Sequence, residues 1–171
     1  MKDSNDFPLG IKARDRISGF EGIVTGIGTH ITGCRRIGMR PVERADRGEE
    51  EWFFPEQLEV VTEDTEFSEL GESATTDVDF ELGDELEDEI TGVSGIVGTI
   101  TYNLFNCPRV ALQPVDNTDS TEAPDREWFD APRVSRVGNG VSAEFEEQVN
   151  KQATSATGPS NADVNRKSNR Q

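Results

Sequence analysis

The sequence DRISGFEGIV occupies residues 15–24 and returns as DEITGVSGIV at residues 88–97. The match extends without a gap from residues 7–42 to residues 80–115, at a constant offset of 73. After a difference of three residues in length, Glu51-Trp52-Phe53 returns as Glu127-Trp128-Phe129. Two copies of one small fold predict duplicated packing and duplicated contact surfaces. They do not favour a single deep cleft with a catalytic constellation.

Each copy has the pattern of short β-strands separated by glycine turns. Residues 34–42 and 107–115 alternate with a period of two, which is typical of half-buried strands. Five short strands in one copy, without a convincing helix, are typical of a small SH3-like barrel. We therefore predict an all-β protein with two tandem SH3-like barrels at 7–61 and 80–137, named copy one and copy two below. An acidic linker is predicted at 62–79, and a polar, flexible tail with a short helix at 143–150 is predicted for 138–171.

The negative charge of the chain is concentrated between the copies. The net charge is −17, and residues 62–89 hold thirteen acidic residues and no basic one. Lysine is scarce, with four residues against thirteen arginines. A surface rich in carboxylates and poor in lysine indicates a protein from a halophilic host, because molar salt screens the self-repulsion. The alternative is an ordinary acidic linker in a protein from a low-salt host. No membrane span and no signal peptide are predicted.

A resemblance rests on motifs that both copies contain. In copy one these are Phe7-x-Leu9-Gly10, the DRISGFEGIV stretch, Cys34 and Trp52-Phe53, and copy two repeats each of them. The pattern resembles a family of small accessory structural proteins of tailed viruses that infect bacteria and archaea. Copy one departs from the family pattern at Ile11 and Phe54, and copy two departs at Val93. The resemblance covers about two thirds of the chain and implies a virion-associated role without catalysis. The glycine turn is also similar to the KOW element of translation and transcription factors.

Two sets of residues are candidate partner contacts. Trp52, Phe53, Trp128 and Phe129 are aromatic residues of the kind that dominate protein interfaces. Alternation places neighbouring strand residues on opposite faces, so we expect one member of each pair to lie in the core. The second set is a basic edge in copy one that contains Arg35, Arg36 and Arg40, with Arg44 and Arg47 further along the chain.

No residue pattern predicts a catalytic, metal or cofactor site. His30 is the single histidine, and we expect it at the surface or in a turn. Cys34 and Cys107 occupy equivalent positions and are predicted to be free, buried thiols. The dense acidic run at residues 84–89 lacks the spacing of a calcium loop and is predicted to be a solvated face. We therefore expect a protein that is not an enzyme and has no cofactor.

The function expected from these features is that of a virion structural protein of a halophilic tailed virus, assembled in the host cytoplasm. Capsid decoration or cementing is the first expectation, with other virion proteins, the major capsid protein foremost, as partners and with multiple copies in each particle. The alternatives are a head–tail connector, tail or baseplate accessory protein, or a KOW-like module that binds nucleic acid or ribosomes. The overall negative charge disfavours nucleic acid, and no membrane partner is expected.

Overall fold

The computed structural model describes residues 7–115, 124–138 and 140–141. Within these residues the protein is all-β, which confirms the predicted class. The strands are β1 Lys12–Asp15, β2 Glu21–His30, β3 Arg35–Arg40, β4 Glu51–Phe53, β5 Leu58–Thr62, β6 Glu85–Asp88, β7 Ser94–Asn103, β8 Arg109–Pro114, β9 Glu127–Asp130 and β10 Val134–Gly138. One helix, α1, spans Ser68–Ser73, and 3-10 turns span Val42–Arg44, Pro55–Gln57 and Ala131–Arg133. The helix predicted at 143–150 and the polar tail around it lie outside the described residues.

All ten strands belong to one antiparallel sheet. Copy one contributes the order β5-β1-β2-β3-β4, and copy two contributes the equivalent order β10-β6-β7-β8-β9. Each copy has its own cluster of buried apolar side chains. The long strands β2 and β7 connect the two halves. Domains of about 55 residues are marginally stable alone, which favours packing between the copies or against a partner, and the structure shows the copies in contact.

The seam between β2 and β7 has local twofold symmetry. Gly28 pairs with Thr101, and these two residues are equivalent because the repeat offset is 73. The hydrogen bonds on either side of this pair are equivalent too, each with a length of 2.9 Å: Ile31 N–H to the Gly98 carbonyl, and Leu104 N–H to the Thr25 carbonyl. The symmetry axis therefore passes close to Gly28 and Thr101, and the two copies meet through the same strand.

The side chains at the seam break this symmetry. Leu104 of copy two is buried within the apolar cluster of copy one, and Phe105 packs against the same cluster. Ile31, which is equivalent to Leu104, is only half-buried. Tyr102 contacts both clusters. Copy two thus completes the core of copy one, and the two cores are not independent.

The predicted acidic linker is packed against copy one over part of its length, where we had expected a solvated segment. Phe67 lies against the core of copy one and meets Phe105 edge to face, with ring centroids 5.8 Å apart. The Thr65 hydroxyl donates a hydrogen bond of 2.5 Å to the Gly10 carbonyl. A Cβ atom at Gly71 in α1 would overlap the carbonyl oxygen of Leu9, so only glycine allows this close approach. The segment packs against copy one because the ring of Phe67, which lies among the acidic residues, is partly buried there.

The prediction of a solvated face for residues 84–89 is wrong at two positions. The Asp84 and Asp88 side chains are fully buried. Asp84 accepts hydrogen bonds from Arg136 at 2.9 Å and from the Glu81 N–H at 2.8 Å. Asp88 accepts two hydrogen bonds from Arg133, at 3.0 and 2.8 Å. Alternation turns Asp88 in β6 and Asp84 just before β6 inward, and arginines from the C-terminal part of copy two compensate their charge.

The cysteine prediction is correct in one respect and wrong in the other. Cys34 and Cys107 are both free, as expected, but they are exposed. Each lies in the connection that follows a ten-residue strand, β2 or β7, just before the next strand begins. A position in a turn places the thiol outside the core, although cysteine is a frequent core residue.

Candidate protein-binding face

Trp52 and Trp128 lie on opposite sides of a shallow groove at the seam. Each tryptophan is well exposed, with 38% and 45% of its surface accessible. The groove has a volume of about 300 Å³. Its lining residues are Glu50, Trp52, Thr101, Asn103, Arg109 and Trp128. Because Thr101 lies near the symmetry axis, the groove receives equivalent tryptophans from the two copies.

The two indoles are positioned in different ways. Trp52 in β4 pairs with Gly38 in β3, and its ring covers the backbone of β2. A Cβ atom at Gly26 would lie 2.9 Å from Cη2 of Trp52, so glycine permits this packing. Copy two has Thr99 at the equivalent position. There the Trp128 ring instead lies 5.8 Å from the guanidinium carbon of Arg109.

The phenylalanine that follows each tryptophan points to the core, as alternation predicted. Phe129 is buried in the cluster of copy two. Phe53 is half-buried, packs against the cluster of copy one, and stacks on Phe20 with ring centroids 5.7 Å apart. Of the four aromatic candidates, the tryptophans are therefore the residues available to a partner.

The three arginine candidates do not act as one edge. The Arg36 guanidinium lies 3.7 Å from the ring centroid of Phe54. Arg40 is mostly buried and donates to the Ala45 carbonyl at 3.2 Å, with Glu50 at 4.0 Å. Arg35 lines a separate cavity of about 490 Å³ beside Ile27 and Tyr102. Alternation along β3 places Arg35 on the opposite face of the strand from Arg36 and Arg40.

The two copies place different charges near the groove. In copy one, Glu50 accepts a hydrogen bond of 2.6 Å from Thr25. The residue equivalent to Glu50 in copy two is Arg126. Burial lowers the pKa of the nearby His30, and the positive charges of Arg126 and Arg36 lower it further. Arginines of both copies therefore lie close enough to the seam to act on His30, while the carboxylate of Glu50 lines the groove.

His30 has a structural role at the seam. It is half-buried at the end of β2, and its Nδ1 lies 2.9 Å from the Thr99 hydroxyl of β7. We expected a surface or turn residue, and His30 instead joins the two copies.

Several residues of the groove are not predicted by the sequence pattern. Thr101, Asn103 and Arg109 come from copy two and line the groove with Trp52 only through the β2–β7 pairing. One signal was present, because Arg109 is the repeat equivalent of Arg36.

Comparison with known protein families, curated proteins and solved structures finds no match for this chain. Within the described residues, no three His, Cys, Asp or Glu side chains are grouped so that they could hold a metal ion. The same residues contain no helix that is long and apolar enough to cross a bilayer.

Proposed function

We propose that this protein is a non-enzymatic structural component of a tailed virus of a halophilic host, and that it decorates or cements the capsid. Its partners are other virion proteins, the major capsid protein foremost, and each particle carries many copies. The observation that carries this proposal is the pair of exposed tryptophans, Trp52 and Trp128, on either side of a groove at the seam. Exposed tryptophans with neighbouring arginines are typical of protein-binding hot spots.

We also propose that each copy forms a small SH3-like barrel. The strand order β5-β1-β2-β3-β4 and its repeat in copy two support this proposal, as does a 3-10 turn directly before the last strand of each copy. The apolar cluster of each copy is formed mainly by residues of that copy, which supports it further.

Two arginines outside the groove lining, Arg36 and Arg126, favour an acidic partner surface on this face. Among the described residues, Arg36 and Arg126 have no carboxylate within ion-pair distance, whereas the Arg109 and Asp130 side chains approach to 3.3 Å. A partner that brings carboxylates to this face would compensate these two arginines. Virion proteins that are as acidic as this chain would satisfy this requirement.

The first experiment is to count the chain in purified particles by quantitative mass spectrometry. Capsid decoration predicts on the order of hundreds of copies, whereas a position on the tail axis predicts roughly six or twelve. Absence from the particles would overturn a virion role altogether.

The groove is tested with viruses that carry Trp52→Ala or Trp128→Ala. Truncating a tryptophan hot spot weakens binding by about thirtyfold, so the number of copies in each particle should fall. Leu70→Ala is the matched control, because Leu70 is an exposed apolar residue of α1 away from the groove. An unchanged copy number in both tryptophan variants would refute the assignment of the groove.

One observation favours a second candidate, a module that binds nucleic acid. Trp128 and Arg109 line the groove together, and Trp52 is the equivalent aromatic residue across the axis. Aromatic rings beside arginines can stack on the bases of single strands. The chain has only two tryptophans, both in the groove, so their fluorescence reports its occupancy directly. Quenching by oligo(dT) or oligo(U) that persists at molar salt would favour this candidate over protein binding.

A further inference from the structure

Two isoleucines are presented to solvent at equivalent turns. Ile17 follows β1 and Ile90 follows β6. Their exposed fractions are 77% and 74%, the highest among the exposed large apolar side chains of the described residues. Single exposed apolar residues are normal on protein surfaces, but here the same exposure occurs twice at symmetric positions.

Hydrogen bonds hold both turns in one conformation. The buried Asp15 carboxylate accepts from the Ser18 N–H at 2.8 Å and from the Ser18 hydroxyl at 2.5 Å. Asp88 accepts from the corresponding groups of Thr91 at 2.8 and 2.6 Å. The backbone just before each isoleucine is also tied to the 3-10 turn of the same copy, through Arg16 N–H to the Gln57 carbonyl and Glu89 N–H to the Arg133 carbonyl. A side chain on such a preorganised turn loses little entropy on binding.

The charges next to the two isoleucines are opposite. Arg16 precedes Ile17, whereas Glu89 precedes Ile90. The charge also differs at an exposed position of the preceding strand, where copy one has Arg14 and copy two has Glu87. The feature that both turns share is the apolar side chain on a Ser/Thr-Gly turn. A partner that binds both turns therefore recognises them through an apolar pocket and not through charge.

The two turns precede β2 and β7, which begin beyond opposite ends of the paired β2–β7 segment. β2 and β7 are antiparallel, and each begins seven residues before the axis, at Glu21 and at Ser94. At ~3.3 Å per strand residue, these starting points are at most ~46 Å apart along the strands. The axis relates the turns to each other, so identical pockets that receive them lie on separate molecules.

We propose that Ile17 and Ile90 are twin anchors, each of which fills an apolar pocket on a separate copy of one partner protein. This inference rests on the proposed function, in which the partner is a repeated virion subunit. One chain then bridges two subunits, which is the geometry of a cement protein. Two linked contacts also strengthen each other through effective concentration.

The test uses viruses that carry Ile17→Ser, Ile90→Ser or both substitutions, with copies per particle measured by quantitative mass spectrometry. Each single substitution should weaken binding by about ten- to hundredfold, and the double substitution should remove the chain from the particles. Val60→Ser is the matched control, because Val60 is exposed in β5 and its counterpart in copy two is Arg136. Thermal unfolding of the purified variants verifies that they remain folded, which is expected for substitutions at exposed turns.

Two results would overturn the twin anchors and leave the proposed function intact. The first is a double variant that stays at the wild-type copy number. The second is an effect from only one of the two isoleucines. If sedimentation showed wild-type chains to self-associate and the double variant to be monomeric, the occupant would be a second copy of this chain, and the proposal would fail. Absence of the wild-type chain from particles would overturn the proposed function together with this inference.

Discussion

Replacing Leu104 by alanine tests whether copy two completes the core of copy one. Leu104 belongs to copy two, yet its side chain is 3% exposed and lies within the apolar cluster of copy one. Buried Leu→Ala substitutions destabilise proteins by about 2–5 kcal/mol, depending on the cavity that remains. Ile31 occupies the symmetric position but is only half-buried, so we expect about 1 kcal/mol for Ile31→Ala. The symmetric backbone hydrogen bonds stay in place in both variants, so the comparison isolates side-chain packing.

The assay is urea and thermal unfolding at high salt, with tryptophan fluorescence as the signal that reports unfolding. For a chain of this size, 1 kcal/mol corresponds to about 2–4 °C in Tm, so Leu104→Ala should lower Tm by about 4–20 °C and Ile31→Ala by about 2–4 °C. Versions that retain only Trp52 or only Trp128 report on copy one and copy two separately. In Leu104→Ala, the Trp52 signal should shift at least as far as the Trp128 signal. Equal, small effects at both positions, or a shift confined to Trp128, would refute the shared core.

Three further predictions concern charged groups. Arg136→Ala should cost about 2 kcal/mol of unfolding free energy by urea denaturation, because it leaves the carboxylate of Asp84 buried and unpaired, and the double substitution Asp84→Ile/Arg136→Val should recover most of this loss. Hydrogen bonds from the hydroxyl and N–H of Ser18 lower the pKa of Asp15, so its contribution to stability is present above pH ~3.9 and is lost as pH falls through the lower folded pKa. Urea denaturation at pH 7 and pH 3 should therefore show a smaller acid loss in Asp15→Asn than in the wild type, and an equal loss would contradict this origin. Arg126→Ala should raise the pKa of His30 towards its ordinary value, which NMR titration of the single histidine can measure; an unchanged pKa would show that Arg126 does not act on it.

The repeat predicts much of the fold, because period-two alternation is a local property. Strands β3 and β8 lie within the predicted 34–42 and 107–115, and the inward Phe53 and Phe129 follow from alternation alone. The β2–β7 seam has no such signal. It is centred on Gly28 and Thr101, a glycine and a threonine that carry no apolar pattern, and it is a long-range pairing between copies.

The burial of Asp84 was not predicted, because it depends on a contact with a residue that is distant in the sequence. Asp84 is buried because Arg136 compensates it, and the two residues are 52 positions apart. Copy one has Ile11 at the position of Asp84, so the same site in the fold accepts either an apolar residue or an ion pair. The groove could be predicted only as two separate tryptophans, because its assembly depends on the seam.

The pairing of Gly28 with its own repeat equivalent has a consequence for the origin of the molecule. A strand that pairs with its own equivalent across a twofold axis can form the same contact between two separate single-module chains. Such chains would associate as a homodimer whose formation depends on concentration. Joining the two modules in one polypeptide removes that dependence and lets each half diverge. Copy one has Ile31 where copy two has Leu104, and Glu50 where copy two has Arg126. A fused dimer can acquire such differences between its halves, whereas a true homodimer cannot.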